Sequence, residues 1–348
     1  MSEAEILFEV DSGVAVATLN RPAAMNALTL SMIETLHVKL QDWAQDESVA
    51  AVVICGAGER AFCAGGDIRA LYDAHFEGGD LTETFFRAEY RLNHLVYHYA
   101  KPYIALMDGV VMGGGVGVSV HGRYRVVGDN TLFAMPETGI GLFPDVGASF
   151  FLPRMPGALG LFLGLTGSRL RAADCLYVGI GDCYVPTDRQ DALIDALRQN
   201  TGAADKVQDV LDRFSQPAEP PPLAERRDLI DQCFTAGSAQ AIETALERTG
   251  GEAALKMLET LRRKSPIGLM VGHRQLRAGA ALEFDDCMVM EFRLSQRVMA
   301  DHDFYEGVRA LIIDKDNAPD WRPGALADIT PAMVDAYFAP APTGDLTF

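Results

Sequence analysis

Positive charge is scarce in this sequence: 30 Lys and Arg stand against 48 Asp and Glu in 348 residues, a formal net charge of −18. Such an acidic chain repels the nucleic-acid backbone and anionic membranes, so neither is expected as a partner. Long hydrophobic runs are missing too. Charge or glycine interrupts each apolar stretch well before the roughly 18 residues that a membrane-spanning helix needs. The six cysteines, Cys55, Cys63, Cys175, Cys183, Cys233 and Cys287, form no CxxC pair and have no histidine at ligand spacing. A disulfide framework and a zinc site are therefore not expected, and reduced thiols in a cytoplasmic setting are. His94 and His98 are four residues apart but lack a third ligand, so they read as helix surface or core and no metal is expected. The acidic start, Met1-Ser-Glu-Ala-Glu5, reads as neither a signal peptide nor an Arg-rich transit peptide. No internal repeat of fixed period is evident.

Apolar residues make up 49% of the chain, enough for a sizeable core, and its length favours one large domain with an appendage. Ile6 to Val10 and Val14 to Leu19 alternate around Asp11-Ser-Gly13 and predict a hairpin. Leu28 to Trp43 has helical spacing, with Thr29 or Ser31 as its cap. Ala50–Cys55 and Tyr103–Asp108 read as buried strands, Leu81–Tyr99 as a helix ending at Lys101-Pro102, and Tyr124–Gly128 and Thr131–Ala134 as two more strands. This alternation predicts an α/β core with largely parallel strands over residues 1–190. From Asp188 the strand signal ends. A helical region is expected over 191–325, broken by the surface loop or linker Pro217–Pro222, with a loose tail over 326–348.

Two carboxylates, Glu137 and Asp145, lie in the glycine-rich segment Met135-Pro-Glu-Thr-Gly-Ile-Gly-Leu-Phe-Pro-Asp-Val-Gly147, which contains no Lys or Arg. An acid in an apolar setting is poorly solvated as an anion, and its pKa rises towards the range useful for proton transfer. Two glycine turns follow predicted strands: Phe62-Cys-Ala-Gly-Gly66-Asp67 and Met112-Gly-Gly114-Gly-Val-Gly117. Each leaves a bare backbone N–H, and together they suit a two-amide oxyanion hole. Taken singly, each turn also fits ordinary strand-to-helix packing. A dinucleotide fingerprint does not fit, because Val118 stands where GxGxxG requires glycine.

The ordered set of motifs resembles the crotonase (enoyl-CoA hydratase/isomerase) superfamily, and within it the 3-hydroxyisobutyryl-CoA hydrolase branch. Besides the three segments above, it includes Lys101-Pro-Tyr-Ile-Ala105, Glu291-Phe-Arg-Leu-Ser-Gln-Arg297 and Asp303-Phe-Tyr-Glu-Gly-Val-Arg-Ala310, and it spans about Phe8 to Pro323. The resemblance implies a spiral of ββα turns with a C-terminal helical region. It also implies hydrolysis of a short β-hydroxyacyl-CoA in valine breakdown. It assigns Glu137 and Asp145 as catalytic, the amides of Gly66 and Gly114 as the oxyanion hole, and Glu89, Asp67 and Arg69 as substrate-binding. Coenzyme A enters as part of the substrate and no other cofactor is implied; a homo-oligomer is compatible. Enoyl-CoA hydratases of the superfamily carry a second glutamate three residues after the middle glycine. Here that position is Gly117, which makes hydratase or isomerase activity the alternative, with a non-catalytic acyl-CoA binder as another.

Overall fold

The computed structural model describes residues 4–200 and 206–348. Residues 1–3 and 201–205, which carry part of the acidic start and part of the expected helical region, lie outside the described residues. Among the described residues nine strands occur in chain order: β1 (Ile6–Asp11), β2 (Val14–Leu19), β3 (Ala51–Gly56), β4 (Ala61–Cys63), β5 (Tyr103–Met107), β6 (Val110–Met112), β7 (Tyr124–Val127), β8 (Leu132–Ala134) and β9 (Cys183–Tyr184). They form a six-stranded sheet of order β1-β2-β3-β5-β7-β9 and a three-stranded sheet of order β4-β6-β8. In the large sheet β1 and β2 are antiparallel, joined at the predicted hairpin, whereas β2, β3, β5, β7 and β9 run parallel.

The pattern is a repeated ββα turn. β3, β5 and β7 each enter the large sheet, and their successors β4, β6 and β8 enter the small one. The repeats start at residues 51, 103 and 124, so their spacing is unequal and no fixed period exists to detect in the sequence.

The chain divides into two compact units, each drawn from three stretches. The first comprises residues 1–67, 91–133 and 170–224. Its core is one face of the large sheet: Val14, Val53, Ile104 and Val126 alternate inward along their strands and meet Leu193, Leu197, Val207 and Leu211. Those last four come from helices Gln190–Asn200 and Lys206–Phe214, which therefore belong to the sheet's unit and not to a separate C-terminal region. Residues 217–221 form a loop, tethered just before it by a Gln216–Tyr184 bridge, and Pro222 opens the 3-10 turn Pro222–Arg226.

The second unit comprises residues 68–90, 134–169 and 225–348 and is helical. The expectation of a loose tail over 326–348 fails here. Helix Pro331–Tyr337, capped by Thr330, buries Val334 and Tyr337. The Tyr337 hydroxyl donates to Asp301 at 2.7 Å, and Arg293 grips Asp345 at 2.6 and 2.8 Å. Composition misled the reading: the Pro- and Ala-rich segment still places Val334, Tyr337 and Leu346 where apolar surface is removed from water.

Candidate active site

Gly66, Asp67 and Gly114 fall in the first unit, and Glu89, Glu137, Asp145 and Arg69 in the second. In the first unit, parallel pairing of β4 with β6 sets the two glycine turns side by side. A Cβ built on Gly65 would stand 3.9 Å from the Gly114 nitrogen. One on Gly115 would meet the Cys63 carbonyl oxygen at 2.3 Å, a spacing that only glycine allows. Helix Gly114–Gly117 starts at once, so the Gly114 N–H lies in its first turn and has no intrahelical acceptor. Gly66 sits beside Leu28, whose N–H donates to Gly65 O and whose carbonyl accepts from Asp67 N, both at 2.8 Å. Among the described residues, neither the Gly66 nor the Gly114 N–H has an acceptor.

Asp67 and Arg69, both expected to bind substrate, have ionic partners of their own. The Asp67 carboxylate is held by Arg21 at 3.1 Å, and Arg21 also pairs with Glu5 at 3.1 Å and donates to Ala27 O. Those contacts brace the loop between β2 and the following helix. Arg69 is 63% exposed on helix Ile68–Glu77 and faces Asp73 at 3.8 Å, one helical turn away. A long, solvated pair of that kind fixes little.

In the second unit the carboxylates converge. Glu137 opens a 3-10 turn, Glu137–Ile140, and is 4% exposed; its Oε2 has no hydrogen-bond partner among the described residues. Glu89, on helix Leu81–Tyr97, is 2% exposed, and its Oε1 likewise has none. Asp145 is 4% exposed and accepts a hydrogen bond from the fully buried Tyr90 hydroxyl at 3.1 Å. Burial pushes all three acids up, and the Asp145 charge raises Glu89 and Glu137 further. Asp145 itself rises to about 7, against the restraining hydrogen bond from Tyr90. Three such groups share protons and titrate as a set, with at least one acid protonated near neutral pH.

The sequence suggested that no cation attends these acids, and folding supplies one. Lys264 is half-buried, and its Nζ would stand 3.3 Å from a Cβ on Gly139 and 3.4 Å from one on Gly167. Its field lowers Glu137 slightly against the larger effect of burial, while burial lowers the pKa of Lys264 itself.

The loop carrying Asp145 is held under tension. Val146 has φ +52° and Gly147 φ +85°, and a β-branched residue rarely tolerates the left-handed region. Glu291, fully buried on helix Phe284–Met299, accepts from Gly147 N at 2.7 Å, from Ser149 N at 2.8 Å and from the Ser149 hydroxyl. Gln275 donates to the Pro144 carbonyl. Burial raises Glu291 to about 8 despite those donors. Tyr90, Glu291 and Gln275 were not singled out as site residues from sequence, and Lys264 only within the basic run Arg262-Arg-Lys264, a weak candidate for the CoA phosphates. Glu291 stands inside a quoted motif and Tyr90 inside the expected helix Leu81–Tyr99, whereas nothing local marks Gln275.

Residues 14–338 match the enoyl-CoA hydratase/isomerase family. The chain belongs to that family. Relatives named 3-hydroxyisobutyryl-CoA hydrolase, mitochondrial, include those of Danio rerio (47% identical, covering 98% of this chain and 91% of the relative) and Homo sapiens (42%, 99% and 91%). Two solved structures share the fold closely. A carnitinyl-CoA dehydratase from Mycobacterium thermoresistibile is 43% identical with a TM-score of 0.93, covering 99% of both chains. An enoyl-CoA hydratase from Rhodobacter sphaeroides is 38% identical with a TM-score of 0.92, covering 99% of this chain and 100% of that one. The relatives' mitochondrial names overturn the cytoplasmic expectation. All six cysteines are free thiols, but free thiols report a reducing milieu and do not single out one intracellular compartment. Among the described residues no helix is long and apolar enough to cross a membrane.

Proposed function

We propose that this protein hydrolyses 3-hydroxyisobutyryl-CoA to 3-hydroxyisobutyrate and free CoA, a step in valine breakdown, with no cofactor beyond the CoA of the substrate. The observation that carries the reading is the buried set Glu137, Asp145 and Glu89, whose pKa values are raised, together with a glycine at position 117. The curated relatives named as that hydrolase support it.

In the proposed reaction the Gly66 and Gly114 amides stabilise the oxyanion that forms as the thioester carbonyl is attacked. Ionised Glu137 takes a proton from the attacking water, or attacks first and forms an anhydride that water then opens. The carbon–sulfur bond breaks, and the departing thiolate takes a proton. Asp145, with a pKa near neutrality and Tyr90 to orient it, is suited to deliver that proton. Glu89 is coupled electrostatically to Asp145, whose charge raises it. Glu291 acts through the backbone of the Asp145 loop and is a positioning residue.

The two similar structures, named as a dehydratase and a hydratase, favour a second reading, addition of water to an enoyl-CoA. That chemistry uses two carboxylates around one water. At position 117 a side chain would run into Asn93, whose Nδ2 lies 2.5 Å from a built Cβ. Thiol release from 3-hydroxyisobutyryl-CoA, with crotonyl-CoA run in parallel, separates the two readings. Rapid release from the hydroxyacyl substrate, lowered about 10²-fold or more by Glu137→Gln, is expected. Loss of enoyl absorbance without thiol release would reverse the assignment.

A further inference from the structure

We propose that the carboxamide of Asn93 binds the β-hydroxyl of the substrate and thereby sets the preference for hydroxylated acyl groups; the inference rests on the hydrolase reading above. Asn93 lies on helix Leu81–Tyr97 and is fully buried, yet neither its Nδ2 nor its Oδ1 has a hydrogen-bond partner among the described residues. A buried amide with both donor and acceptor unspent is destabilising, and native structures rarely keep one without a use. Glu89, one helical turn earlier, also carries an unpartnered buried oxygen.

The carboxamide is aimed at the turn that bears the Gly114 amide. A Cβ on Gly117 would stand 2.5 Å from Nδ2 and 3.0 Å from Oδ1, so glycine there is what lets the amide approach. Gly117 N–H donates to the Gly113 carbonyl at 3.2 Å, which puts Asn93 beside the same short helical turn as Gly114. In the proposed pose the thioester carbonyl rests on the Gly114 N–H and the acyl carbons run along this turn towards Asn93. The β-hydroxyl sits on the next carbon but one from the carbonyl. It is both donor and acceptor, as the carboxamide requires; a methyl group is neither. A carboxamide neither gains nor loses a net proton near neutral pH, so Asn93 recognises and does not activate water.

Asn93→Leu in the full chain tests the role, because leucine keeps the volume and removes the polarity. The readouts are kcat/KM for 3-hydroxyisobutyryl-CoA and for isobutyryl-CoA, with the thermal midpoint beside them. The preference for the hydroxylated substrate is expected to fall at least about tenfold, with the midpoint unchanged or raised. Equal losses on both substrates, or a lowered midpoint with the preference intact, would overturn the proposal. If the leucine variant does not fold, Gly117→Ala supplies the second arm: its methyl displaces the carboxamide, and an unchanged preference there overturns the proposal too. Wild-type protein that releases no thiol from the hydroxyacyl substrate refutes the hydrolase reading instead, so the two failures are distinguishable.

Discussion

At the scale of single residues, the site is governed by desolvation. Asp145, Glu137, Glu89 and Glu291 are all nearly or fully buried, and burial is the largest cause of each upward shift. For Asp145 the folded value of about 7 lies above the ordinary value of 3.8. Between those values the native state holds a proton that the unfolded chain has released, so stability from this site is lost as pH rises through 7. Asn mimics the protonated acid. The thermal midpoint of Asp145→Asn is therefore expected to exceed that of wild type by a margin that grows from about pH 4 to pH 8. A margin that stays flat or shrinks would show that Asp145 is not buried as an acid. Activity has the opposite demand, because an ionised carboxylate is needed to take a proton. A rising limb of kcat/KM centred well above the ordinary carboxylate range is expected, and it belongs to the coupled set and not to one residue.

At the scale of elements, the two glycine turns depend on close backbone approach. Gly115 faces the Cys63 carbonyl with no room for a methyl group, so Gly115→Ala must part helix Gly114–Gly117 from β4. A destabilisation of about 1–3 kcal/mol is expected, the usual range for overpacking. Gly237→Ala is the control, since a Cβ there meets nothing within 4 Å. Urea denaturation that finds the two variants equally stable would contradict the close-packing account. Here local sequence was informative: a glycine triplet after a buried strand marks both the turn and the exposed N–H. What it did not contain was the orientation of Asn93, because its significance depends on the opposing Gly117, 24 positions away along the chain.

At the scale of the whole molecule, the second unit is closed by its own C-terminal segment. Helix Pro331–Tyr337 and the Arg293–Asp345 pair attach residues near the chain end to the helix that carries Glu291. Removal of residues 331–348 exposes the partners of Val334, Tyr337 and Leu346. Fully burying one large apolar side chain contributes about 1.5–3 kcal/mol, so the truncated protein is expected to lose several kcal/mol and to unfold at a lower temperature. A truncated form as stable as the full chain would mean that the segment only decorates the surface.

Much was determined by the sequence alone. Alternating strands and helices, the hairpin at Asp11–Gly13, the cap at Thr29, the two glycine turns and the acids at 137 and 145 are local patterns, set by periodicity, backbone freedom and the need to bury apolar faces. Tertiary structure decided what depends on neighbours distant in sequence. It grouped the helices of 190–214 with the sheet, docked the expected loose tail, tied Asp67 to Arg21 and left Arg69 in solvent. It also brought Tyr90, Lys264 and Glu291 to acids that the linear sequence left unattended. The reason is physical: a pKa or a hydrogen bond is set by the few ångströms around a group, and in a folded chain those ångströms are filled from remote positions.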